Sequence, residues 1–432
     1  MAEASEEYAT EPVPDGKTVG WVRVALVAAM VAFSLPTFLT GLELAVVSSA
    51  PNTALMLLIG AMILTLLGCL TGGIGASTRL SSYMLNRVAF GTRGAALVNM
   101  AFAISLLGWF GVNIDLFSGA VQRLALELFD LSVPAWPVEL FAGLVMTVTT
   151  VFGFRAINLL STLLVPVLVL VTGQLILGAL NVMPLDDIMA QTVEQEIAFG
   201  DGVSAVVGAV IVGAVILPDI TRFIRHWSGA VYAVIITYFF IDLVVTGAGA
   251  IASSALADDD LLNIMITLGI GWAAFAIVIF GSWVLNSLNL YSTMLSVEST
   301  LPRLNNRVLI VVTGTLGTVA AFFNILDYFL DFLFYLAIVF VPVSGVIAVD
   351  YLLLRRSAYH QQRQALEVSM RPHAIFSWAL GAAVSLAGSW GWLSLTGIAA
   401  LDAMLVAAVS YYLIVTLGGG KGPSPTDQGE QS

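Results

Sequence analysis

The sequence predicts an all-α integral membrane protein with twelve transmembrane helices, and three observations predict it. The first is composition: 59% of the 432 residues are hydrophobic and 10% charged, with a mean hydropathy of +0.97, as expected of a chain whose solvent is mostly lipid. The second is length, because apolar runs centred on residues 35, 66, 108, 145, 169, 210, 240, 280, 314, 338, 382 and 406 are each long enough to span. The third is charge. With a cytoplasmic N-terminus, the inner segments hold Lys17, Arg23, Arg79, Arg87, Arg93, Arg155, Arg222, Arg225, Arg303, Arg307, Arg355, Arg356, Arg363, Arg371 and Lys421, and of the 16 Lys and Arg residues only Arg123 is left outside. Shifting the count by one helix destroys this asymmetry, so the positive-inside rule places both termini in the cytoplasm.

Twelve crossings at roughly 20 residues each use about 240 residues and leave short loops, with no room for a separate soluble domain. The net charge of −12 gathers in the first 15 residues and in outer loops such as Asp186 to Asp201 and Asp258 to Asp260, which argues against nucleic acid as a partner. Residues 1–20 form an acidic tail with no apolar core ahead of a cleavage site, so the first helix is retained. Cys69 is the only cysteine and lies inside an apolar run, so it reads as a packing residue rather than half of a disulfide. Residues 418–432, rich in Gly, Pro, Ser and Gln, read as a disordered cytoplasmic tail.

Backbone groups in lipid must be satisfied internally, so interruptions of a spanning helix carry information. The first span carries Ser34-Leu35-Pro36-Thr37 and the sixth carries Gly208, Gly213 and then Pro218. Five helices separate the two breaks, as in a fusion of two five-helix repeats of opposite topology. Corresponding broken helices mark a transporter's binding site, although proline and glycine are also common in intact membrane helices. On the eighth span Ser282, Asn286, Asn289, Thr293 and Ser296 step by four, three, four and three, a stripe down one helical side. Either a polar cavity or hydrogen bonds between helices gives that spacing. On the third span Trp109 and Asn113 share a face, a flat aromatic beside an amide, which suits a planar polar ligand or a packed indole.

Gly108-Trp109-Phe110-Gly111-Val112, Pro218-Asp219 with Thr221-Arg222-Phe223, Trp283 with Asn286 and Leu290-Tyr291, and Pro342 through Asp350-Tyr351-Leu352 together resemble the nucleobase-cation-symport-1 family, in its purine-cytosine permease branch. The resemblance runs from Pro12-Val13-Pro14 to about Arg356 and more weakly beyond. It implies a five-plus-five inverted repeat of the amino-acid transporter-like fold, at 21–181 and 200–352. A cytoplasmic loop at 353–372 and two extra helices at 373–417 would follow. It also implies symport of a nucleobase or related heterocycle with a cation. By the same resemblance Trp109 matches the aromatic that stacks on the base and Asn286 the amide that bonds it, with Asn289 next along the stripe. Asn113 stands where hydantoin carriers of the family have a substrate-binding glutamine and cytosine carriers a glycine. Val210 and Val212 replace a second stacking Phe and a nearby Ser, while Gly213 would leave unwound backbone free to bond.

The family's sodium site uses carbonyls from the first break, here Ala29 and Phe33, and two hydroxyls of the eighth span. Those hydroxyl positions are Val284 and Leu285, which cannot coordinate a hard cation. The resemblance therefore leans toward H+ over Na+ as the coupling cation, with no other cofactor. A proton needs a buried carboxylate, and Glu43, Asp115 and Asp242 are the ones within spans. Asp115 is about 240° around the helix from Trp109 and points away from it. Asp219 and Arg222 read as a cytoplasmic hinge or ion pair. An enzyme is not expected, because His226, His360 and His373 all fall in loops and no metal-binding pair exists. The rival class is a channel, and against it stand broken helices and a single aromatic-amide site in one long chain.

Overall fold

The computed structural model describes Tyr8 and residues 11–193, 196–301, 304–323, 329–360 and 368–418 of the 432. The disordered tail expected after Gly418 lies outside the described residues, as do Arg303, Arg363 and Lys421. In chain order the main helices are α1 (Trp21–Ala32), α2 (Leu35–Val47), α3 (Ala50–Thr78), α4 (Ser82–Phe129), α5 (Ala135–Val151), α6 (Phe154–Val182) and α7 (Phe199–Thr221). They continue as α8 (Trp227–Leu256), α9 (Gly271–Thr300), α10 (Asn306–Ala321), α11 (Tyr335–Leu354), α12 (Pro372–Ser389) and α13 (Ala399–Leu417). Each of the twelve centres read from the sequence falls within one of these helices. Among the described residues eight are long and apolar enough to cross a membrane, and the bent pair α1–α2 makes a ninth. The only bridge outside helices among them joins Val19 and Ile224.

The first break lies where the proline places it. After Ala32 the chain turns through an extended Ser34, and α2 leaves at 48° to α1 with Pro36 in its first turn. A missing N–H costs nothing there, because the first amides of a helix have no intrahelical partner. The second break differs from the expectation. α7 continues as regular helix through Gly208 and Gly213 as far as Val215, and only the Ile216-Leu217 turn ahead of Pro218 is irregular. Pro218 cannot donate to the Ala214 carbonyl, and Thr71 Oγ1 of α3 supplies that donor at 2.6 Å. Packed apolar neighbours keep the glycines helical; the lost hydrogen bond at proline is what interrupts the helix.

Glycines also set how closely α2 and α8 cross. A Cβ built on Gly41 would lie 1.8 Å from the Thr246 carbonyl oxygen, and one on Gly249 2.2 Å from that of Phe38. Backbones this close are held by van der Waals packing between small residues, the main attraction left where lipid already solvates apolar groups. Gly249→Ala should therefore lower stability by about 1–3 kcal/mol through overpacking, read as a lower thermal-unfolding midpoint in detergent. An unchanged midpoint would show that the crossing is loose.

α4 is longer than the span centred on 108 because it includes a piece at 82–90, set off by Gly91 at φ +77 and ψ 169. Around that kink the Thr92 and Arg93 amides donate to the Val368 and Ser369 carbonyls at 3.1 and 2.7 Å, and the Arg371 amide to that of Phe90 at 2.9 Å. At the end of α11 Asp350 is wholly buried and accepts from Arg355 Nε and Nη2 at 2.7 and 2.6 Å, and from the Tyr359 and Tyr411 hydroxyls at 2.6 and 2.8 Å. This face of the bundle carries Arg79, Arg222 and Arg355. The opposite face carries Asp258, Asp259 and Asp260.

Candidate substrate site

The proline-bearing break and the α7 kink border one cavity of about 50 Å³, with Trp109 of α4 and one side of α9 completing it. Leu285, Leu288, Asn289 and Ser292 of α9 line it at the i, i+3, i+4 and i+7 positions of one helical face. Val31, Ser34 and Pro36 line it from the first break, and Val210, Val212 and Gly213 from α7. The walls are aliphatic apart from the Trp109 indole and a few polar groups. Of the residues singled out in the sequence, the fold thus brings Trp109, Val210, Val212, Gly213 and Asn289 to one void.

Asn286 stands one layer behind. Its Nδ2 donates to the Phe110 carbonyl at 3.0 Å, and Asn289 Nδ2 lies 3.5 Å from its Oδ1, so Asn289 is the amide that opens on the cavity. The Ser296 hydroxyl likewise donates to the Asn99 carbonyl of α4. The polar stripe of α9 therefore divides, with Asn286 and Ser296 binding helix to helix and Asn289 facing the void. Asn113 is wholly buried and turns its Nδ2 back to the Trp109 carbonyl at 2.8 Å, the i−4 bond available to Asn inside a helix. Its Oδ1 has no partner among the described residues. Gly213 is helical rather than unwound, which corrects the expectation of free backbone there. What its missing side chain provides is room for Val31 and the Tyr238 hydroxyl, 3.1 and 3.2 Å from where a Cβ would sit.

Asp219 was legible as part of the Pro218-Asp219 motif, but not as a wall of this cavity. It is wholly buried and accepts from the Ser82 amide at 3.0 Å, from Ser82 Oγ at 2.5 Å and from Ser292 Oγ at 3.0 Å. Below it the basic face is closed. Phe154 stacks on Phe223 at 4.8 Å, and buried Arg222 donates to the Tyr8 carbonyl at 2.7 Å and the Tyr291 hydroxyl at 3.1 Å. The Val19 amide donates to the Phe223 carbonyl at 2.8 Å, so the N-terminal segment straps this side. Toward the acidic face lies a wider vestibule of about 460 Å³, lined by Leu35, Leu39, Asp115, Arg123 and Asp260 among others. Arg123 and Asp260 pair across it.

The positions considered for cation coupling separate in space. The Ala29 carbonyl accepts from the Phe33 amide at 3.0 Å, and the Phe33 carbonyl faces Gly281 of α9, where a Cβ would lie 2.5 Å away. Val284 and Leu285 are both buried. Glu43 is half-buried on α2, whereas Asp242 is wholly buried on α8 with its Oδ1 lacking a partner among the described residues. No group of three His, Cys, Asp or Glu among those residues is placed to hold a metal.

Residues 12–413 match the family described as permeases for cytosine/purines, uracil, thiamine and allantoin. The chain belongs to that family. The permease is 30% identical over 408 residues to the cytosine permeases of Escherichia coli K12 and O157:H7, with 94% of each chain covered. Its fold is that of Mhp1, a nucleobase-cation-symport-1 family transporter solved closed with bromovinylhydantoin bound (TM-score 0.83, 18% identity, 97% of this chain and 96% of that one). A Na+-coupled sialic acid symporter, solved substrate-bound and outward-open, is also similar (TM-score 0.69, 13% identity, 96% and 92% covered). The permease is a multi-pass membrane transporter of the nucleobase type, not an enzyme.

Proposed function

We propose that the permease imports a nucleobase, a cytosine-like pyrimidine or a purine, across the plasma membrane by proton symport with alternating access. In this reading it crosses the bilayer twelve times as a five-plus-five inverted repeat with two extra helices, and both termini are cytoplasmic. The observation that carries it is the void between the two helix breaks, lined by Trp109 as its one aromatic residue and by Asn289. A flat heterocycle fits such a slot by stacking, with its polar edge on the carboxamide. One gate strapped by the N-terminal segment and an open vestibule on the other side suit a site reached from one face at a time.

Val210 and Val212 support a close relative as the alternative cargo, since they leave the slot with one aromatic wall. Such cargoes are a hydroxymethylpyrimidine, a hydantoin or allantoin. For the cation, Val284 and Leu285 favour a proton. Ser282, with a buried hydroxyl lacking a partner among the described residues and sitting next to Gly281, favours sodium. Thermal-shift screening of the purified permease against these heterocycles, in sodium or potassium and at several pH values, tests both points. Stabilisation by one nucleobase, equal in the two salts, is expected. A shift that requires sodium would overturn proton coupling, and none with any heterocycle would overturn the cargo class. Saturable uptake and counterflow separate this carrier from a channel.

A further inference from the structure

Near the cavity, α8 gathers three buried polar groups, without partners among the described residues, into one short stretch. Thr237 Oγ1, the Tyr238 hydroxyl and Asp242 Oδ1 lie within six residues, all on side chains no more than 1% exposed, and none has a hydrogen-bond partner among the described residues. Buried polar groups are nearly always paired, so three unpaired ones in a single stretch call for a reason. The backbone here is itself irregular. Residues Ile235–Ile241 form π-helical turns, a geometry that recurs at functional sites in helices.

The placement supplies the reason. The Tyr238 hydroxyl lies 3.2 Å from the position a Gly213 Cβ would take, and Gly213 lines the substrate cavity. Asp242 follows about one turn later on α8. The same Gly213 position is bordered by Val31, two residues before Phe33 at the first helix break, so this stretch of α8 passes close to that break. The surroundings bring no counter-charge. α1 carries Arg23 and α6 Arg155 at their beginnings, α2 carries Glu43 toward the acidic face, and α7 has Asp201 and Asp219 at its two ends. α3 contributes only the half-buried Cys69 thiol. The neighbouring short helices at Leu185–Met189 and Leu261–Thr267 bring Asp186, Asp187 and Asp260 at the acidic face. Within α8 the titratable group nearest in sequence to Asp242 is the Tyr238 phenol, four residues before it. An unpaired charge in such a bundle costs several kcal/mol, and carboxyl groups kept inside a membrane span without a counter-charge mark ion and proton pathways.

We propose that Asp242 is the proton-carrying site of the permease, reached from the substrate cavity past Gly213 through the Tyr238 hydroxyl. In each cycle its carboxylate takes one proton from water on the outer side, an O–H bond forming as the donor water loses one, and returns it to water on the inner side. Tyr238 is a positioning residue for that transfer. This rests on the symport reading above, and the test separates the two.

The full chain is reconstituted into vesicles with a clamped membrane potential, and radiolabelled cytosine and a trapped pH dye are followed. At one proton per substrate, an inward gradient of about one pH unit should sustain about tenfold cytosine accumulation, with cytosine-evoked acidification inside. Asp242→Asn should abolish both the acidification and the accumulation while cytosine still exchanges across the membrane. Acidification that persists in Asp242→Asn overturns the proposal. So does accumulation by the unaltered permease without proton entry, which would leave the transport reading intact. Absence of cytosine counterflow in the unaltered permease would overturn both. Should Asp242→Asn not fold, Tyr238→Phe decides, because it keeps the carboxylate: slowed acidification is expected, and acidification at the original rate would contradict the route.

Discussion

Trp109→Ala lowers the affinity of the purified permease for its heterocycle by about 5- to 150-fold. That range is the ~1–3 kcal/mol that stacking of one base on one aromatic side chain contributes where proteins bind nucleic acid. The upper end is expected here, because the other walls of the cavity are aliphatic: Val210, Val212 and Leu285 offer no second ring to take over the stack. Trp109→Phe keeps a smaller π face and should lose less. Saturation binding of labelled cytosine, with competition by uracil, hydantoin and allantoin, reads both variants. The change should fall on affinity more than on folding, since Trp109 edges a void and its removal enlarges the cavity already there. Equal affinity in Trp109→Ala and the unaltered protein would place the substrate elsewhere.

Asp350→Ala is expected to be the most destabilising single change discussed, by about 3–5 kcal/mol, the usual cost of removing one partner of a buried ion pair. Its carboxylate receives four hydrogen bonds from three side chains: Arg355 just after α11, Tyr359 in the segment Arg356–His360, and Tyr411 of α13. Truncation leaves the always-charged Arg355 guanidinium and two phenols without their acceptor. Tyr411→Phe removes one neutral donor to the same carboxylate and should cost about 1 kcal/mol. Thermal unfolding in detergent orders the two variants, and equal midpoints would show that the cluster contributes nothing. Any protein that survives should bind substrate normally, because Asp350 does not border the cavity.

Much of this architecture was legible in the sequence because lipid forces regular hydrogen bonding on every span. Hydrophobic length and the placement of Arg and Lys then carry the pattern almost alone. The break at Ser34-Leu35-Pro36 was legible for the same reason: proline removes a donor wherever it stands. Gly213 misled, since glycine permits a break without compelling one, and the decision belongs to its neighbours Val31 and Tyr238 on other helices. Asn286 and Asn289 could not be told apart from spacing, because both lie on one stripe. Only the position of the Phe110 carbonyl shows which amide is already engaged. Asp219 and Tyr238 were missed as cavity neighbours because their roles depend on Ser82, Ser292 and Gly213, all distant in sequence. The three unpaired polar groups of α8 likewise leave no signature in composition.

The most direct test is electron cryo-microscopy of the purified permease with saturating cytosine, or with whichever heterocycle raises its thermal stability most. Planar density lying flat on the Trp109 indole, with one edge toward Asn289 between the two helix breaks, is the expected result. Density in the vestibule beside Asp115 and Arg123, with the Trp109 slot unoccupied, would contradict it.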